Sequence, residues 1–254
     1  MATSRSDIIR QAPPDEMAPV VEWDDFLTYV LDWRQDQHLA AIGPTGQGKS
    51  VAIHGLVDEY RSYVAYLATK IKDDTLKAYI ESGGYERIYD WPPKRGMLVK
   101  KPVPAQKMPR RLVWPDASTL DAEDEQKRVF NAALSDIYVQ GGWCTVWDDY
   151  WYLTNILGLE KTGKKFLMNA RSNQIPFVLG AQRPAGNRLV EIFDQAEHIL
   201  FFRDNDEPNL RRIGGVGWLD SNMIRAYVAH LDQFQFLYCN TRTGHMYRST
   251  APEL

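Results

Sequence analysis

Apolar and polar positions along the chain follow two rhythms. Trp23, Phe26, Leu27, Val30 and Leu31 recur at helical spacing and predict one amphipathic helix ahead of the first strand. Residues 38–42 read as a short buried strand, followed at once by a glycine-rich turn and a second helix from Lys49 to about Arg61. Residues 63–69 predict another strand. In the helix expected over 121–139, Val129, Phe130, Ala133, Leu134, Ile137 and Tyr138 line one side, and Asp121, Glu123, Asp124 and Glu125 sit near its positive N-terminal end. Residues 143–147 form a buried strand that ends in Asp148 and Asp149. A mostly helical segment over 158–172 leads into a strand at 176–181. A short helix near 189–193, a strand at 199–202 and a helix near 222–228 follow. A hairpin of 234–239 with 245–248, turned by Arg242, Thr243 and Gly244, closes the series. Strands alternating with helices imply an α/β fold with a mostly parallel sheet and helices on both faces.

Two segments break the pattern. Residues 1–20 are polar and contain Pro13, Pro14 and Pro19, as expected of a loose N-terminal arm before a single domain over 21–254. Residues 91–111 are rich in proline and carry Lys94, Arg95, Lys100, Lys101, Lys107, Arg110 and Arg111 without one acidic residue. Proline blocks regular structure, so a basic, irregular insertion near 91–120 is expected, either a solvated loop or a surface for a polyanion.

Composition narrows the classes. Of 254 residues, 44% are hydrophobic and 25% charged, which argues against wholesale disorder. With 30 Lys and Arg against 33 Asp and Glu, the net charge of −3 excludes a histone-like polycation, although a local basic surface would suffice for nucleic acid. No stretch approaches a membrane span or the apolar core of a signal peptide, so no membrane insertion and a cytoplasmic location are expected. Cys144 and Cys239 both lie in apolar strand-like runs and read as two buried free thiols in preference to a disulfide.

The chemistry concentrates in residues 43–50. Gly43, Pro44, Thr45, Gly46, Gln47, Gly48, Lys49 and Ser50 match G-x-x-x-x-G-K-[ST], between an expected strand and an expected helix. Glycines let successive backbone N–H groups turn inward around a phosphate, and the helix N-terminus adds its partial positive charge. The nucleotide-binding set is residues 43–50 with Val51. Lys49 would reach the β- and γ-phosphates, and the Ser50 hydroxyl would ligate Mg²⁺. The second half of such a site is a buried strand ending in acid, which residues 144–149 supply. Asp148 would hold the metal and Asp149 would polarise the attacking water. Asp149 is a methylene shorter than the glutamate found in many hydrolysing proteins of this type, which points to slow turnover or a differently held water. Gln182, at the end of the strand over 177–181, can both donate to and accept from a γ-phosphate group.

Three stretches together resemble the HerA/FtsK superfamily of P-loop DNA motors: residues 43–50, residues 144–149, and the Arg-Ser-x-x-Ile segment of Arg171, Ser172 and Ile175 running into Gln182, Arg183 and Pro184. Residues 196–203 also look like the next strand of that group. This resemblance implies a RecA-like P-loop NTPase core that uses ATP and Mg²⁺. It also implies a homo-hexameric or homo-pentameric ring around double-stranded DNA, with an arginine of the neighbouring subunit completing each site. Arg171 is the first choice for that arginine, with Arg203 and Arg183 as rivals. The short chain is similar in size to small viral genome-packaging ATPases and to motors of mobile elements. A capsid portal or vertex protein is then an expected partner, and association with the virion an alternative location. DNA phosphates would meet either Lys161, Lys164 and Lys165 or the 91–111 segment, including Lys94, Arg95, Lys100 and Lys101. The alternative is a nucleotide-switched assembly or regulatory protein with little turnover. A small-molecule kinase is a weaker third reading, since it leaves Gln182 and its neighbours unexplained.

Overall fold

The computed structural model describes residues 13–81, 84–92, 110–119, 122–182, 188–213, 216 and 219–252. α1 runs Trp23–Asp25 and continues as a π-helical turn over Phe26–Val30. β1 (Leu39–Ile42) leads to α2 (Lys49–Tyr60), and β2 (Val64–Leu67) to α3 (Asp74–Glu81). Then come β3 (Glu86–Ile88), β4 (Arg110–Val113), α4 (Ala122–Gln140) and β5 (Cys144–Trp147). A π-helical turn (Tyr152–Ile156), α5 (Glu160–Asn169) and β6 (Phe177–Ala181) follow. The remaining elements are α6 (Arg188–Gln195), β7 (His198–Phe202), α7 (Glu207–Arg212), α8 (Ser221–His230), β8 (Gln235–Asn240) and β9 (Met246–Thr250). They group into two compact units, one of Met1–Glu59 with Gly180–Leu254 and one of Tyr60–Leu179.

In the first unit β1 pairs in parallel with β7, Leu39 opposite His198 and Ile42 opposite Phe201. β7 runs antiparallel to β8, and β8 antiparallel to β9. Every residue of β1 and β7 is buried, so β1, and β7 after His198, read as apolar runs and not as an alternation. The apolar stripe of α1 covers β8: the Phe26 ring lies 5.3 Å from that of Phe236 and 5.1 Å from that of Tyr238, both edge-on. The expected hairpin is present. Its turn is fixed by the Asn240 side chain, whose Oδ1 accepts from the N–H of Arg242 and of Thr243, both at 3.0 Å.

Residues 14–20 depart from the expected loose arm. The backbone of Arg248 in β9 accepts from Val21 N–H and donates to Pro19 O, both at 2.9 Å, while its Nε donates to Ala18 O at 2.8 Å. The segment is therefore tied to an edge strand through its own polar backbone, which an apolar-pattern reading does not weigh.

The second unit is wholly parallel: β3 pairs with β4, β4 with β2, β2 with β5, and β5 with β6. α4 buries Val129, Phe130, Ala133, Leu134 and Ile137, as its spacing predicts. One expectation needs correction. Arg110 and Arg111 do not belong to an irregular insertion; they open β4. Pro109 is the last proline before that strand, and both guanidiniums find partners through the sheet. Arg111 pairs with Glu86, its opposite number on β3, and Arg110 Nη2 donates to Arg61 O at 3.2 Å. Lys94, Arg95, Lys100, Lys101 and Lys107 lie outside the described residues.

Among the described residues no helix is long and apolar enough to cross a membrane. Cys144 and Cys239 are free and buried, and burial pushes the Cys144 thiol up to about 12 and the Cys239 thiol up as well. Both thiols stay protonated at neutral pH and are poor nucleophiles.

Candidate nucleotide site

The glycine-rich loop of the first unit joins the end of β1 to the start of α2. Its entry is fixed by the N–H of Gly43, which donates to Ala181 O at 3.0 Å. A side chain is excluded at Gly43, because a Cβ there would fall 2.7 Å from Phe202 Cβ on the neighbouring β7. Gly46 and Gly48 turn the loop with φ of 79° and 92°, values that L side chains rarely adopt. Among the described residues, a Cβ added at Gly46 would meet nothing within 4 Å. Lys49 is only 7% exposed, and its Nζ donates to Pro44 O at 2.7 Å. The ammonium thus lies across the loop, with Ser50 next in the first turn of α2. Gln47 Oε1 is buried and accepts no hydrogen bond among the described residues. A glycine turn at left-handed φ, a confined ammonium and a hydroxyl at the start of a helix suit the phosphates of a nucleotide.

The acids lie in the second unit, at the end of β5. Asp148 Oδ2 accepts from the hydroxyl of Tyr66 at 2.8 Å. Tyr66 reaches it from β2, where it stands opposite Val146. Burial first, and then the charge of Asp148, raise the Tyr66 pKa well above the ordinary tyrosine range, so this phenol remains a donor. Asp149 Oδ1 accepts from Tyr152 N–H at 3.1 Å and caps the helical turn that follows. The Tyr152 hydroxyl donates to Gln126 Oε1 at 3.0 Å, and Gln126 Nε2 donates to Thr69 O at 3.0 Å, so α4 and the end of β2 buttress that turn. Lys70 follows β2. Burial works against its charge, but its hydrogen bond to Asp73 at 2.9 Å and the nearby charges of Asp73, Asp148 and Asp149 outweigh this and raise its pKa. A hydroxyl on Ser50 and a carboxylate on Asp148 are hard oxygen donors of the kind Mg²⁺ takes alongside phosphate and water.

Gln182 directly follows β6 and is exposed; Arg183 and Pro184 lie outside the described residues. Arg171 lies half-buried in the 3₁₀ turn Ala170–Asn173. That turn is held by Asn173, whose Nδ2 donates to Tyr138 O at 2.9 Å and whose carbonyl accepts from Gly142 N–H at 3.0 Å. Of the α5 lysines, Lys164 lies 3.5 Å from Glu160, and Lys165 stands 4.3 Å over the Tyr138 ring. Sequence reasoning did not single out Tyr66, Lys70 or Gln126. Each meets the acids through strand register or helix packing, and the one local signal was the polar tip of Tyr66 inside an apolar strand.

No family model and no curated protein matches the sequence. Solved structures do share the fold. The genome packaging NTPase B204 of Sulfolobus turreted icosahedral virus 2 in complex with AMPPCP superposes with a TM-score of 0.56 at 15% identity, over 87% of this chain and 100% of that one. Its complex with ATP-gammaS gives 0.56 at 17% identity, over the same shares of the two chains. The cytoplasmic domain of the Type VII secretion ATPase EccC of Thermomonospora curvata gives 0.56 at 13% identity, over 87% of this chain and 26% of that one. The chain therefore has the RecA-like P-loop NTPase fold that its motifs implied.

Proposed function

We propose that this protein is an ATPase of the HerA/FtsK kind that moves double-stranded DNA, working as a ring of identical subunits, hexameric or pentameric. The folded phosphate loop carries the reading: a buried strand, glycines at left-handed φ, and Lys49 laid across the loop onto Pro44. The nucleotide-bound B204 structures share this fold, which supports ATP as the ligand.

In this reading the amides of residues 43–51 and the Lys49 ammonium bind the triphosphate, while Ser50 Oγ and Asp148 hold Mg²⁺. The metal, when bound, neutralises charge on the β- and γ-phosphate oxygens. Tyr66 keeps the Asp148 carboxylate in one orientation. Asp149 orients and polarises the attacking water, with one oxygen retained by Tyr152 N–H. Gln182 contacts the γ-phosphate, and Arg171 of an adjacent subunit offsets the charge that develops on it. Lys161, Lys164 and Lys165 contact DNA phosphates, which bear no sequence information and so permit movement. The narrower role is pumping a genome into a virion, docked on a portal or vertex protein, or moving the DNA of a mobile element. The protein then acts in the host cytoplasm or with the virion.

The test is steady-state ATP hydrolysis with and without double-stranded DNA, across protein concentration. Hydrolysis that rises with DNA and more steeply than in proportion to protein, and that Lys49→Ala abolishes, is the expected result; turnover indifferent to DNA overturns the motor. The capping bond of Asp149 favours a second reading, a nucleotide-switched assembly protein, because it engages the carboxylate meant to handle water. That protein would stop after about one turnover.

A further inference from the structure

The ring of Phe234 stands at the phosphate loop in a conformation that the fold alone does not explain. Phe234 links α8 to β8 with φ of 66°, the left-handed region where side chains other than glycine are strained. The turn holds it there: Phe234 O accepts from Ala251 N–H at 2.9 Å, Gln235 N–H donates to Asp232 O at 3.2 Å, and Gln235 Oε1 accepts from Asp232 N–H at 3.2 Å. Glycine would suit this backbone better. The ring does not repay the strain by burial either, since it is 45% exposed while Phe236, two residues on, is fully covered. Its inner edge lies along the loop, where a Cβ added at Gly48 would meet Phe234 Cδ1 at 3.3 Å and Ala251 Cβ at 3.3 Å. Gly48 directly precedes Lys49. An aromatic surface is thus held rigidly beside the phosphate loop and left open on one side.

We infer that Phe234 is the platform on which the base of the bound nucleotide stacks. The inference rests on the nucleotide reading of the loop and adds the determinant of base choice. Every base has a π-face, and stacking on an aromatic side chain is tolerant of base identity. Phenylalanine offers neither donor nor acceptor to a base edge, so this contact ranks ligands by stacking area alone. ATP and GTP bind with similar affinity, and UTP more weakly.

The experiment measures binding of Mg-ATP, Mg-GTP, Mg-UTP and inorganic tripolyphosphate to the full chain, in wild type, Phe234→Gly and Phe234→Trp. Glycine fits the left-handed backbone, so Phe234→Gly should unfold at or above the wild-type temperature, and the loss of affinity then reports on the ring. The expected result is an ATP affinity about tenfold or more weaker in Phe234→Gly, unchanged tripolyphosphate binding, and a purine-over-pyrimidine preference that collapses. Phe234→Trp should restore ATP affinity and show indole fluorescence quenched by the base. Unchanged ATP binding in Phe234→Gly overturns the inference alone, as does an equal loss for ATP and tripolyphosphate, which would make the ring a support of the loop. A wild-type protein that binds neither ATP nor tripolyphosphate overturns the phosphate-loop reading, and this inference with it.

Discussion

Tyr66 shows how one side chain sets the behaviour of another that is remote in sequence. Its hydroxyl points at Asp148 Oδ2 from the adjacent strand, and burial with that carboxylate beside it keeps the phenol protonated beyond the usual range. The sign follows from proton linkage. The folded protein holds this proton more tightly than the unfolded chain does, whose tyrosine titrates near its ordinary value of about 10. The stabilisation is therefore complete below about pH 10 and is lost as pH rises from there toward the folded pKa. In denaturant titrations, Tyr66→Phe is expected to cost about 1–2 kcal/mol at neutral pH and to flatten the alkaline decline above pH 10. In turnover assays the same variant should raise the Mg²⁺ concentration for half-maximal hydrolysis by about tenfold, since it frees a proposed metal ligand. An unchanged alkaline limb and metal requirement would remove Tyr66 from the site's support.

Elements differ in how far the chain announces them. The phosphate loop was readable because all its parts are consecutive: a buried strand, a glycine turn, Lys49 and Ser50. β3 and β4 were not, because Glu86, Arg110 and Arg111 carry charge where a buried parallel strand is expected to be apolar; Glu86 is exposed, Arg111 pairs with it, and Arg110 donates to Arg61 O. α3 escaped notice because Leu76 is its one residue in the core, too little to mark a helical stripe. Nothing local marked the approach of Phe234 to Gly48, since a residue between α8 and β8 reaches that loop only through the folded chain. The turn after β5 gives an element-scale test of Asp149. Asparagine caps a helix about as well as aspartate, whereas alanine costs about 1 kcal/mol. Asp149→Asn should therefore keep wild-type stability in thermal unfolding while losing hydrolysis by about a hundredfold or more, as expected for loss of a general base. Asp149→Ala should lose both. Full hydrolysis by Asp149→Asn would leave the residue a cap and nothing more.

At the scale of the whole molecule, the RecA-like fold is shared with a viral packaging NTPase and a secretion ATPase at 13–17% identity, so the fold persists where little of the sequence does. With a net charge of −3, any attraction to DNA would have to be local. If Arg171 completes a neighbour's site, mixing Arg171→Ala with wild-type subunits should depress hydrolysis below the level set by simple dilution; a strictly proportional decline would assign the arginine to its own turn. All these readings depend on whether the loop at residues 43–50 binds a triphosphate. Calorimetric titration of Mg-ATP into wild type and Lys49→Ala measures this most directly. Saturable heat in the wild type with affinity lowered by at least tenfold in the variant is the expected result, and equal binding by the two proteins, or none by wild type, would contradict it.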